Sequence, residues 1–135
     1  MEEFTVLLVD DEAEFRELLA KRLSKRKLKV LTAGDAAEAL RLLASTPVDV
    51  VVLDVRMPGM SGTDALREIK ARLPNVEVLM LTGHAQLDVA LAGMELGAFD
   101  YLLKPVDLDA LLYRLQDAYR RKHLREAGGG SGPPD

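Results

Sequence analysis

The hydrophobic positions of this chain follow two alternating rhythms. Short apolar runs at residues 4–9, 28–32, 50–54, 76–81 and 99–103 are separated by stretches whose apolar residues recur at helical spacing. Val50-Val51-Val52-Leu53 is the densest run, and its β-branched residues suit a strand covered on both faces, as in a parallel sheet. Residues 28–32 alternate apolar with polar, which predicts an edge strand open on one side. Phe15, Leu18, Leu19 and Leu23 mark a first helix that reaches about residue 26. Asp35, with Glu38 three residues later, makes an Asp-x-x-Glu cap for a second helix, and Pro47 ends that connection. A third helix is predicted over 63–73, stopped by Pro74, and a fourth over 85–95, closed by Gly97. A fifth runs from Asp107 to about residue 126, with Leu108, Leu111, Leu112, Leu115, Ala118 and Tyr119 on one face.

Five strands alternating with five helices through short connections predict an α/β fold. The expectation is a doubly wound five-stranded parallel sheet with helices on both faces and right-handed crossovers. A flavodoxin-like strand order, 2-1-3-4-5, makes strands one and three neighbours. The 135 residues, 48% of them hydrophobic, are enough for one core, expected over residues 1–122. Residues 123–135 are read as the helix end and a flexible tail or linker, because Gly128-Gly129-Gly130-Ser131-Gly132-Pro133-Pro134-Asp135 has nothing to bury. The net charge of -4 argues against non-specific binding to nucleic acid or an anionic membrane. With no cysteine, disulfides and thiolate metal sites are excluded. No apolar run approaches the roughly 20 residues of a membrane span, and the acidic start is unlike a secretion signal. A cytoplasmic location is expected.

The chemistry is concentrated where the strands end. Strand one ends on Asp10-Asp11-Glu12, strand three on Asp54, strand four on Thr82 and strand five on Lys104. Ligands of open α/β sheets bind at the carboxyl ends of the strands, so Asp10, Asp11 and Asp54 are expected to converge there. Two carboxylates about 4 Å apart repel by roughly 4 kcal/mol at an effective dielectric of 20. Three call for a cation or a raised pKa, and a hard, partly hydrated divalent ion, Mg²⁺, suits such a shallow rim. Masked in this way, the acids would let an anion approach, with the Thr82 hydroxyl and the Lys104 ammonium to hold its oxygens. The set suits phosphoryl transfer to an aspartate. Taken singly, Asp10-Asp11 is an ordinary helix cap, Pro58-Gly59 and Ser61-Gly62 are ordinary loop chemistry, and Lys104 is an ordinary surface lysine. Caps have no need to converge, so the joint pattern decides.

The segments Val9-Asp10-Asp11-Glu12, Leu53-Asp54-Val55-Arg56-Met57-Pro58-Gly59-Met60-Ser61-Gly62, Leu81-Thr82-Gly83 and Lys104-Pro105, in this order and spacing, resemble the receiver domain of two-component response regulators. The resemblance covers about residues 4–122. It implies Asp54 as phosphoacceptor, served by a sensor histidine kinase, a phosphotransfer protein or a small acyl phosphate. It implies Mg²⁺ held by Asp10 or Asp11, by Asp54 and by the backbone carbonyl of Arg56. Thr82 and Tyr101 would be the paired switch residues, Lys104 the phosphate contact, and Lys104-Pro105 a cis peptide bond. Arg56 and His84 stand where the family varies and would tune the phosphoryl lifetime. The domain would catalyse only its own phosphorylation and dephosphorylation and otherwise act as a switch. Its output surface would be made by helix four, strand five and helix five, with a homodimer as a consequence in which acids such as Asp88 and Glu95 meet Arg120, Arg121, Lys122 and Arg125 of a second copy. An attached output domain is expected if the chain is a fragment.

Rival functions fail on particular residues. A haloacid-dehalogenase-like phosphatase needs a second acid two residues after its aspartate, where this chain has Arg56. A nucleotide or flavin binder needs a Gly-rich or Ser/Thr-rich loop after strand one, where this chain has three acids. A receiver-like module that only binds partners would have no use for Asp54, Thr82 and Lys104 together.

Overall fold

The computed structural model describes residues 3–129. The chain runs β1 (Thr5–Val9), α1 (Ala13–Ser24), β2 (Lys29–Ala33), α2 (Ala36–Ser45), β3 (Val50–Asp54), α3 (Gly62–Arg72), β4 (Glu77–Thr82), α4 (Leu87–Glu95), β5 (Asp100–Leu103) and α5 (Leu108–Gly129). The strands form one sheet in the order β2-β1-β3-β4-β5, every pair parallel. β3 sits at the centre and is buried throughout, which is why its sequence is an unbroken apolar run. β2 lies at an edge, as its alternation predicts.

Side-chain alternation divides the core into two layers. Leu7, Val9, Val51, Leu53, Val78 and Met80 face α2, α3 and α4, packing on Ala39, Leu43, Leu66, Ile69 and Ala90. Val6, Leu8, Val50, Val52, Leu79 and Leu81 face α1 and α5, packing on Leu19, Leu23, Leu111, Leu115 and Ala118.

The helix ends follow local chemistry. Asp35 accepts the Glu38 N–H at 2.8 Å, while the Glu38 carboxylate accepts the Gly34 N–H at 2.7 Å, closing the reciprocal cap at the start of α2. Gly97, at φ +105°, ends α4 in a conformation that a side chain would strain. Two boundaries differ from the sequence reading. Residues 84–86 form a separate 3₁₀ turn before α4, and Gln86, at φ -116° and ψ 19°, interrupts the helical backbone between them. α5 runs on to Gly129, past the start of the expected tail, and residues 130–135 of that tail lie outside the described residues. Among the described residues, no helix is long and apolar enough to cross a membrane.

The bases near the end of α5 work within their own domain. Glu77, 2% exposed at the start of β4, has Arg125 Nη2 at 3.0 Å and Arg121 Nε at 3.7 Å from its Oε2, and Lys70 Nζ at 3.7 Å from Oε1. Lys122 Nζ lies 3.2 Å from Asp49 and 2.7 Å from Glu126. Arg121, Lys122 and Arg125 are thus engaged in fastening α5 to the amino end of the sheet, a use that helix-end charge alone did not reveal. Arg120 pairs with Asp117 at 4.0 Å.

Candidate functional site

The polar strand ends meet at the carboxyl edge of the sheet. Asp10 and Asp54 continue the alternation of Leu8 and Val52, which puts both on the side of α1 and α5. Asp10 is 3% exposed, its carboxylate accepting the Glu12 N–H at 2.9 Å and its own N–H donating to the Ala33 carbonyl of β2 at 3.1 Å. Asp54, 5% exposed at the end of β3, accepts the Arg56 N–H at 3.3 Å. Asp11 is exposed, yet one oxygen each from Asp10, Asp11 and Asp54 lie within 4.8 Å of one another.

Lys104 reaches over this acid group from just beyond β5. Its Nζ stands 3.1 Å from Asp10 Oδ2, 3.5 Å from Asp54 Oδ1 and 3.8 Å from Glu12 Oε1. Its backbone N–H donates to the Thr82 carbonyl at 2.8 Å, and the Lys104-Pro105 peptide bond is cis. Burial would lower the ammonium's pKa, but Asp54, Asp10 and Glu12 together outweigh it and hold the value above 10.5. At Asp54 the pKa is also raised, but for a carboxylate this means that the charged form is disfavoured. Burial first, and then the charge of Asp10, raise it from 3.8 to about 6 against the opposing pull of Lys104 and the Arg56 N–H.

Thr82, 1% exposed, ends β4 next to Asp54, and its hydroxyl donates to the Gly83 carbonyl at 2.9 Å. In the β4–β5 register Met80 pairs with Tyr101 and Thr82 with Leu103, so Thr82 and Tyr101 lie one alternation apart on the α4 side. Tyr101 is half-buried. The open cleft over these groups, about 620 Å³, is lined by Asp11, Asp54, Arg56, Thr82 and Lys104 among others. Arg56 therefore borders it. His84 is exposed and does not line it, since Gly83, Ala85 and Gln86 form that wall.

The donor set fits a hard divalent cation. Three carboxylates converge, no softer ligand stands among them, and a buried acid held near 6 records the unfavourable charge that a cation would relieve. Sequence reasoning overlooked three contributors. Glu12 adds a third carboxylate to Lys104, and its place in the Asp-Asp-Glu run was the available signal. Arg16 donates from Nη1 to the Asp10 carbonyl at 2.7 Å. The Phe15 ring centroid lies 4.7 Å from Lys104 Nζ. Those last two contacts are long-range or backbone-directed and leave no motif.

Residues 6–116 match the model of the family described as the response regulator receiver domain. The chain belongs to this family. The receiver domain is 41% identical over 117 residues to the response regulator protein PilR of Pseudomonas aeruginosa, a match covering 87% of this chain and 26% of the relative. It is 40% identical over 125 residues to the DNA-binding transcriptional regulator NtrC of Escherichia coli, covering 90% of this chain and 27% of the relative. The chain thus spans about a quarter of the length of these curated relatives. Among solved structures it resembles a receiver domain protein from Clostridium thermocellum, with TM-score 0.86 and 40% identity over 90% of this chain and 98% of that one. NtrX from Brucella abortus in complex with ADP superimposes with TM-score 0.91 and 29% identity, covering 99% of this receiver and 31% of NtrX.

Proposed function

We propose that this receiver domain is a phosphorylation-dependent signalling switch in which Asp54 is the phosphoacceptor. One observation carries the reading: a buried carboxylate at the end of the central strand, open to a cleft, with two further acids on one side and the Lys104 ammonium 3.5 Å away. At neutral pH Asp54 lies above its pKa of about 6 and is ionised, hence nucleophilic. One of its oxygens bonds to phosphorus as the phosphorus–nitrogen bond of a histidine kinase or phosphotransfer protein, or the phosphorus–oxygen bond of an acyl phosphate, breaks, and the donor keeps the electron pair. Asp10, Asp11, Asp54 and the Arg56 carbonyl would hold Mg²⁺, which supplies neutralisation of the phosphoryl charge when bound. Lys104 contributes a compact positive charge to the phosphoryl oxygens.

The relay runs through Thr82 and Tyr101. Turning the Thr82 hydroxyl from the Gly83 carbonyl toward a phosphoryl oxygen vacates space on the α4 side, and Tyr101 turns inward to fill it. A two-position element of this kind can bias partner affinity by about 1–3 kcal/mol. The surface affected is α4–β5–α5, where Leu91, Leu103 and Tyr113 are exposed. Self-association there rests on those apolar groups, since Arg121, Lys122 and Arg125 are already engaged. An attached output domain if the chain is a fragment, a cytoplasmic location and no direct nucleic-acid contact by this domain complete the proposal.

Acetyl phosphate with Mg²⁺, followed by intact mass, tests the acceptor: wild type should gain one phosphoryl group and Asp54→Asn none. Equal uptake by the variant refutes the assignment. Arg56, at the cleft, is expected to slow hydrolysis by covering the water's approach, and His84 less so. Replacing both by smaller residues should shorten the half-life of the phosphorylated form.

A further inference from the structure

The first turn of α1 carries an aromatic ring to the rim of a site otherwise built from strand ends. Phe15 is half-buried and packs on the layer that includes Leu8 and Val52, so its ring is held in place from below. Its neighbour Arg16 ties the same turn to the Asp10 carbonyl, fixing the helix start against the loop that carries the acids. The ring centroid is 4.7 Å from Lys104 Nζ, within cation–π range. The other partners of that ammonium within the site are carboxylates, at 3.1 to 3.8 Å. Two of these three, Asp10 and Asp54, belong to the group suited to a divalent cation, and a cation there competes with the ammonium for their oxygens while repelling it. Among the described residues, the neutral aromatic face is the anchor whose attraction does not depend on how the carboxylates are engaged.

We infer that Phe15 is a positioning residue for Lys104: its ring keeps the ammonium over the cleft when metal takes the acids, ready for the incoming phosphoryl oxygens. The inference rests on the proposed role of Lys104 as the phosphate contact. It assigns Phe15 an effect on anion affinity that a plain core residue would not have.

The test is a double-mutant cycle on the whole chain in saturating Mg²⁺, with beryllofluoride as the phosphoryl probe and calorimetry as the readout. Phe15→Leu and Phe15→Met remove the ring but keep an apolar side chain, and Phe15→Tyr restores the ring. Both ring-less variants should bind beryllofluoride three- to tenfold more weakly than wild type, with Mg²⁺ affinity changed less than twofold, and Phe15→Tyr should bind like wild type. In a Lys104→Gln background the ring-less substitutions should have no further effect. Unchanged affinity in the ring-less variants, or the same loss with and without Lys104, overturns the inference while leaving Lys104 as the contact. Equal binding by wild type and Lys104→Gln refutes Lys104 as the contact and removes the role of the ring with it.

Discussion

Asp54→Asn should make the metal-free protein more stable at pH 7.5. The folded domain holds this carboxyl near pH 6, whereas the unfolded chain holds it near 3.8. A folded-state value above the unfolded one means that folding favours the protonated form. The unfavourable contribution of Asp54 is therefore absent below about pH 4, grows as pH rises through the window from about 4 to 6, and is fully present above it. The interval corresponds to about 3 kcal/mol at 1.36 kcal/mol per pH unit. Asn keeps the shape and an acceptor for the Arg56 N–H without the charge. Lys104 retains Asp10 and Glu12, so the substitution leaves no buried cation unpaired. The expected gain is about 2–3 kcal/mol at pH 7.5, or roughly 10 °C in melting temperature for a domain of this size. At pH 4 the two proteins should melt within a degree or two of each other. Urea unfolding in chelator at both pH values, with equal m-values, measures the difference. Millimolar Mg²⁺ should raise the melting temperature of wild type more than that of the variant, because it stabilises only the native acid group. A gain of the same size at pH 4 and 7.5, or none at either, would show that the burial of a charge at Asp54 is not the cause.

Other perturbations separate the two ends of the sheet. Lys104→Met should tighten Mg²⁺ binding several-fold in calorimetry, because the ammonium no longer shares the oxygens of Asp10 and Asp54. Glu77→Gln should cost about 3 kcal/mol in urea unfolding, since Lys70, Arg121 and Arg125 lose the buried charge they surround. By contrast Arg67→Ala, which removes an exposed 3.0 Å pair with Asp64, should change stability by less than about 0.5 kcal/mol. Lys27 closes the turn after α1 with φ +69°, so Lys27→Gly should add about 0.5–1 kcal/mol, and a loss instead would mean that its side chain is needed there.

The parts of this fold legible in the sequence are those where one local pattern has one structural meaning. The run Val50–Asp54 can be read because a strand covered on both faces has no room for alternation, and β3 is buried at every position. The acid group followed from strand order alone, since β1 and β3 must be neighbours for Asp10 and Asp54 to meet. Glu77 shows the opposite case. Inside the run 76–81 it looks like one polar residue in a strand, and its meaning comes from Arg121 and Arg125 more than forty positions away. The ring of Phe15 carried a helical period and nothing else, because its partner Lys104 lies on the far side of the chain order. The break between β4 and α4 was missed for a local reason: Ala85 and Gln86 are good helix formers, and the non-helical angles of Gln86, φ -116° and ψ 19°, leave no mark in the residue types.

The loop from Val55 to Gly62 sets limits for anyone redesigning this receiver. The Gly62 N–H donates to the Val55 carbonyl at 3.2 Å, and a Cβ at position 62 would stand 2.8 Å from Val55 backbone atoms. The loop is thus cinched at its base, one end continuing from Asp54 and the other starting α3. Libraries that vary its length, or replace Gly62, would pull β3 and α3 apart together. Gly59 at the loop's crest has φ +80° but open space around it, so Asn, the residue most at ease there after glycine, is the substitution to try first. Sequence diversity in this segment is best spent at its crest, with its two feet left as they are.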